Sequence, residues 1–182
     1  MSFNFKFIGN CNVSKLVKNL NILTEKDWQE HQIRQNEYAN HEYTNTLEIL
    51  WDPYSLDTNS VGAVHNNFFK LEIENFLKSI ENCYSTLYGD GYFVRALITR
   101  LKPNTIIGRH QDSGFGLENC KRTHIPLQTN PDVLFEVGDE TLNLKKGEIW
   151  EINNSNKEHA VYNNSNEYRI HFILDYNLYN NG

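Results

Sequence analysis

The sequence predicts a mainly β protein with N-terminal helices, built as a sandwich or jelly roll. Three observations lead there. From Tyr92 onward, about eight short runs of β-type residues alternate with turn signals. Before Tyr92, the most regular apolar spacing in the chain is helical. The 182 residues, 39% apolar and 13% aromatic, are enough for one domain with a proper core. The expected organisation is a single domain over 1–182. In it, a mostly helical part over 1–90 packs on a jelly-roll core over 91–176.

In the front part, Thr24-Glu25-Lys26-Asp27 is a relative of the capping box, and the polar stretch that follows to Ala39 predicts a surface helix. Thr46, Leu47, Ile49 and Leu50 predict a short strand over 45–51, stopped by Asp52-Pro53. Over 67–84, Phe69, Ile73, Phe76, Leu77, Ile80 and Tyr84 recur at three- and four-residue steps, the single apolar stripe of an amphipathic helix. Gly89-Asp90-Gly91 then breaks the pattern.

The β-type runs follow at 92–101, 105–112, 122–128, 133–137, 141–144, 148–152, 160–163 and 168–175. Turn residues separate them: Lys102-Pro103-Asn104, Asn130-Pro131-Asp132, Gly138-Asp139, Lys146-Gly147 and Asn163-Asn164-Ser165-Asn166. No internal repeat or low-complexity linker interrupts the chain. Trp28, Trp51 and Trp150 read as packing residues.

Composition excludes several function classes. The net charge is −6, and the lysines and arginines are scattered rather than gathered into a stripe, which argues against nucleic acid or an anionic membrane as partner. The first residues, Met1 to Phe7, lack the basic head and apolar run of a signal peptide, and no stretch reaches membrane-spanning length. Cys11, Cys83 and Cys120 are widely spaced and odd in number, which predicts free thiols in a reducing, cytoplasmic setting. Without a secretory signal, Asn153-Asn154-Ser155 and Asn163-Asn164-Ser165 read as turns rather than glycosylation sites.

The chemistry concentrates in His110-Gln111-Asp112, followed by His159 and Arg169. Two imidazoles and one carboxylate form the donor set of a facial triad, which holds Fe(II) and leaves positions open for cosubstrate and dioxygen. Side chains alternate faces along a strand, so His110 and Asp112, two apart at a strand end, point the same way. In a jelly roll, strands distant in sequence lie side by side, so His159, opening a later strand, can supply the third ligand. Arg169, one strand further on, would point into the same cavity. Its planar fork suits a dicarboxylate cosubstrate. One His-x-Asp alone is weak, being also the pattern of a strand-end histidine bonded to a turn aspartate; the order of all four residues is what raises it. His171 shares a strand face with Arg169 and reads as a supporting or core histidine. Asp175 reads as a turn or surface carboxylate, and His31, His41 and His65 as solvated histidines.

Five ordered blocks between residues 92 and 176 resemble the aspartyl/asparaginyl β-hydroxylase family of 2-oxoglutarate oxygenases. They are Arg100-Leu101-Lys102-Pro103-Asn104 running on to His110-Gln111-Asp112, Arg122-Thr123-His124-Ile125-Pro126-Leu127, Gly147-Glu148-Ile149-Trp150-Glu151-Ile152-Asn153-Asn154, His159-Ala160-Val161-Tyr162-Asn163, and Arg169-Ile170-His171-Phe172-Ile173-Leu174-Asp175. The resemblance implies a double-stranded β-helix (the cupin-like jelly roll), with Fe(II) bound at His110 and His159. It also implies that Arg169 and Thr99 hold the distal carboxylate of 2-oxoglutarate, and that Arg122 and His124 approach its iron-chelating end. The animal enzymes that name the family have Gly where this chain has Asp112. The chain therefore looks like the branch with a complete triad, which includes hydroxylases of free proline. The implied reaction is Fe(II)- and 2-oxoglutarate-dependent hydroxylation by dioxygen of an amino acid, or of an Asp, Asn or Pro residue in a peptide, yielding succinate and carbon dioxide. Two alternatives remain open: a cupin-like metal-dependent isomerase or hydrolase without 2-oxoglutarate, and a non-catalytic sensor that binds metal or 2-oxoglutarate.

Overall fold

A computed structural model describes residues 3–30, 39–50, 70–112, 117 and 120–179. Two antiparallel sheets face each other, and helices cover the outer face of the larger one. The strands are β1 (Phe5–Asn10), β2 (Thr44–Leu50), β3 (Gly91–Leu101), β4 (Thr105–His110), β5 (Lys121–Gln128), β6 (Val133–Val137), β7 (Glu140–Leu142), β8 (Glu148–Ile152), β9 (His159–Asn163) and β10 (Arg169–Leu178). The larger sheet has the order β1-β8-β5-β10-β3-β2 and the smaller β4-β9-β6-β7. This is the double-stranded β-helix.

The front part holds α1 (Ser14–Leu20), α2 (Glu25–Gln29), a 3-10 turn (Ala39–His41) and α3 (Lys70–Tyr88). It also contributes β1 and β2, which form the two edges of the larger sheet. Neither β1 nor α1 is among the elements expected from sequence, although Phe3, Phe5 and Phe7 alternate in the strand manner. The expected helix after Thr24 is present as α2, and residues 31–38 lie outside the described set. Its capping box forms, with Asp27 Oδ2 accepting from the Thr24 amide and hydroxyl, each at 2.7 Å. The expected strand at 45–51 is β2, with Trp51 outside the described residues.

Two apolar clusters separate the layers. Under the helices, Ile73, Phe76, Ile80 and Tyr84 bury the stripe of α3 against Phe172, Ile98 and Leu174 of the sheet. Phe76 stacks on Phe172 at 5.6 Å and 16°. Between the sheets, Phe5, Leu101, Ile107, Phe135, Ile152 and Val161 form the second cluster. Helix α3 stops at Gly89, whose φ of +99° is easy only for glycine. At Gly91 the backbone of Asn177 comes so close that a Cβ would clash, which lets β3 pair with β10 to its last residue. That pairing carries β10 to Leu178, three residues past the expected end.

The β10 register decides what faces the interior. Arg169, His171, Ile173 and Asp175 share one face of β10. They lie opposite Leu101, Thr99, Leu97 and Arg95 of β3. On the other side, Pro126, His124 and Arg122 of β5 lie opposite His171, Ile173 and Asp175. A largely polar inner face results, with Arg169 towards one end and the Arg95, Asp175 and Arg122 cluster at the other.

Candidate metal centre and active site

His110 ends β4 and is paired in register with His159, which opens β9. A shift in that pairing after Ile107 brings the two imidazoles to a ring separation of 4.2 Å. Asp112 lies past the strand end, yet its amide still bonds to the Asn154 carbonyl at 3.1 Å. Its carboxylate therefore stays on the inner side. Oδ1 is 3.7 Å from His110 Nε2, and Oδ2 is 3.8 Å from His159 Nε2. One donor atom from each of the three residues falls within 4.8 Å of the others, a spacing that fits one metal ion. His110 Nδ1 sits 2.7 Å from the Gly108 carbonyl, so the proton belongs on Nδ1 and the Nε2 lone pair is left for a metal.

Electrostatics keep the donors in ligating form. Burial works against the Asp112 charge, but Arg122 and, to a lesser degree, His159 and Asn154 outweigh it and hold the carboxyl well below its usual range. Burial also lowers His159 to about 4, which keeps its imidazole neutral at physiological pH. Neutral imidazole and ionised carboxylate are the forms that bind a divalent cation.

Thr99, Arg122, His124 and Arg169 all line the cavity that contains this triad. Arg169 is 1% exposed, and no acidic side chain forms an ion pair with it among the described residues. Burial alone lowers it to about 9. Its Nη2 lies 2.5 Å from His171 Nδ1, its Nε has no partner, and its guanidinium faces the Phe135 ring at 5.8 Å. A buried cation without a counter-ion costs stability by itself, so the position asks for an anion. His171 in turn lies 3.4 Å from His124, Nδ1 to Nδ1. Both imidazoles are fully buried and held neutral, first by desolvation and then by Arg169. His171, expected as a supporting or core histidine, is thus buried between Arg169 and His124.

Four polar residues beside or behind the triad, His41, Asp175, Asn154 and Arg95, were not expected there. His41 is not simply solvated: it lines the cavity, and its ring stands edge-on to His110 at 6.1 Å. His31 and His65 lie outside the described residues. Asp175 is the larger correction, being 1% exposed rather than a surface carboxylate. It accepts from Arg122 Nε at 2.7 Å and Nη2 at 2.8 Å, with Arg95 Nη1 at 3.6 Å. Asn154 and Arg95 complete this buried network. The one available signal was parity, since Asp175 sits six residues after Arg169 on the same strand and so shares its face.

The family model for aspartyl/asparaginyl beta-hydroxylase matches residues 12–177. No curated protein matches the chain in sequence. Solved structures share the fold. An oxidoreductase of the 2OG-Fe(II) oxygenase family from Burkholderia pseudomallei has a TM-score of 0.59 at 15% identity, over 74% of this chain and 66% of its own. The chain thus spans just under two thirds of that protein. A prolyl-4-hydroxylase from Pseudomonas putida matches with TM-score 0.57 and 13% identity, over 97% of this chain and 94% of its own. A prolyl hydroxylase from Trichoplax adhaerens, solved with a hypoxia-inducible-factor peptide fragment, gives 0.60 and 12%, over 95% and 83%.

Proposed function

The chain belongs to the aspartyl/asparaginyl β-hydroxylase family, oxidoreductases that use Fe(II), 2-oxoglutarate and dioxygen, and on that premise we propose that it hydroxylates an amino-acid C–H bond. The amino acid is either free or an Asp, Asn or Pro residue in a peptide, and the co-products are succinate and carbon dioxide. One observation carries the reading: a two-histidine, one-carboxylate donor set shares its cavity with a buried arginine that has no acidic partner among the described residues.

His110, Asp112 and His159 would hold Fe(II). With 2-oxoglutarate and dioxygen, the bound metal supplies the oxidising power that hydroxylation of an unactivated carbon needs and that no side chain possesses. The chain's own residues bind and orient. Arg169 and Thr99 receive the distal carboxylate, which supplies the missing counter-charge to Arg169 and accepts from the Thr99 hydroxyl. His124 and Arg122 line the cavity toward the triad, at the other end of the cosubstrate. His171 backs Arg169 and fixes the direction of its fork. Phe135, Ile107, Val161 and Ile173 supply the apolar walls that limit water around the reacting centre. The net charge of −6 and the scattered basic residues support a small-molecule or peptide substrate rather than nucleic acid or a membrane. Three free cysteines support a cytoplasmic location.

The test is succinate release from 2-oxoglutarate by Fe(II)-loaded protein, screened with free amino acids and with Asp-, Asn- and Pro-containing peptides. Stimulation by one of them is the expected result. Protein that binds neither Fe(II) nor 2-oxoglutarate overturns the proposal, and tight binding of both without turnover on any substrate makes the chain a binding module.

A further inference from the structure

The buried network behind the triad has a direction. Asp112 Oδ2 accepts from Arg122 Nη1 and, at 2.9 Å, from Asn154 Nδ2, whereas no hydrogen bond to Oδ1 is found among the described residues. Arg122 cannot swing away, because Asp175 holds its Nε and Nη2 in a two-point fork and Arg95 flanks the same carboxylate. Three of its five N–H groups are thereby committed inside the protein. We infer that Arg122 and Asp175 are positioning residues for the metal-binding carboxylate. They occupy Oδ2 and leave Oδ1 as the single oxygen that Asp112 offers to the ion. The inference rests on the proposed Fe(II) site and deepens it.

Two consequences make this useful to an oxygenase of this kind. A carboxylate tied at one oxygen ligates through the other alone, so it does not take a second coordination position that 2-oxoglutarate or dioxygen requires. The paired charges also balance: Arg122 and Arg95 carry two positive charges against Asp112 and Asp175. Adding a divalent ion thus changes the net charge of the cluster by the ion's own charge and nothing else. A lone arginine on Asp112 would repel the metal; the Asp175 carboxylate offsets that repulsion. This also explains why a fully buried acid occupies the inner face near the end of β10.

The experiment is metal titration of the full chain with Co(II), an oxygen-stable probe for Fe(II) whose visible bands report ligand geometry. It compares wild type with Asp175→Asn and with the double variant Arg122→Gln/Asp175→Asn. The double variant removes one charge of each sign, so it keeps the net charge of the cluster and does not leave Arg122 buried without Asp175. Both variants are expected to lose about 10- to 100-fold in Co(II) affinity, the usual effect of removing a partner of a ligand, and to shift the bands of bound Co(II). Should Asp175→Asn fail to fold, the double variant decides alone. Wild-type affinity together with an unshifted spectrum in the folded variants overturns the inference and leaves the Fe(II) site standing. A wild-type protein that binds no Co(II) or Fe(II) overturns the site itself.

Discussion

His159 and Arg169 face one cavity, and the roles proposed for them involve different ligands, so their substitutions should separate cleanly. His159→Ala removes one of three metal donors and is expected to abolish Fe(II) or Co(II) binding in a titration. Arg169→Met should leave metal binding intact and cut 2-oxoglutarate affinity at least 100-fold. The cut follows from losing two charge-assisted bonds at about 1.5–3 kcal/mol each, since every 1.4 kcal/mol is tenfold. Equal loss of both ligands in the two variants would sink the assignment. The same Arg169→Met change should not lower the Tm of the ligand-free protein, because Arg169 is buried without an acidic counter-ion and methionine fills similar space at no charge cost. A fall of several degrees would show that Arg169 is structural. Thr99→Val, which removes one hydroxyl donor, is a smaller case, at about 1 kcal/mol or roughly fivefold in 2-oxoglutarate affinity.

Helix α2 is only five residues long and cannot be stable by itself; one arginine anchors it. Arg100 of β3 lies between the rings of Trp28, 4.7 Å away, and Tyr168, 4.4 Å away. Its Nε donates to Asn45 at 3.0 Å, and its Nη1 and Nη2 donate to Glu25 at 2.8 and 2.5 Å. Magnitudes say which contacts matter. Glu25 is mostly exposed, so Glu25→Gln should cost under about 1 kcal/mol in urea unfolding. Arg100 is buried and loses two cation–π faces as well as its packing, so Arg100→Ala should cost roughly 2–4 kcal/mol. Similar costs for the two variants would mean that the ion pair, not the aromatic clamp, fastens α2. Much of this was readable locally: Thr24 to Asp27 announced the helix start, and Ile73, Phe76, Ile80 and Tyr84 announced the buried face of α3. The aromatic clamp was not, because Trp28, Arg100 and Tyr168 are dozens of residues apart and meet only when β3 pairs with β10.

At the scale of the molecule, the buried histidines should make stability depend on pH. His124 and His171 are held well below 6.5 by desolvation, and His159 is lowered to about 4. The folded protein keeps them neutral where the unfolded chain protonates near 6.5. The unfolded state therefore binds more protons as pH falls, and folding stability must fall with it. The expected result is a Tm of the metal-free protein that drops steadily from pH 7.5 to 5, a window in which ordinary carboxylates stay ionised. A flat Tm over that window would mean that these imidazoles are protonated in the fold. The sequence by itself determined the β-rich back, the turns between its strands, the common face of His110 and Asp112, and the order of residues that resembles the family. The first three rest on period-two alternation or on local turn chemistry, which need no partner strand, and the last on a resemblance carried by the order of residues along the chain. Only the tertiary structure decided that Phe5 to Asn10 would form an edge of the larger sheet, that His41 would stand beside His110, and that Asp175 would be buried. Asp175 is the clearest case. A carboxylate near a strand end reads as solvated until β10 lies between β3 and β5, which bring Arg95 and Arg122 to either side of it; charge pairing across 53 residues belongs to topology and not to any local pattern.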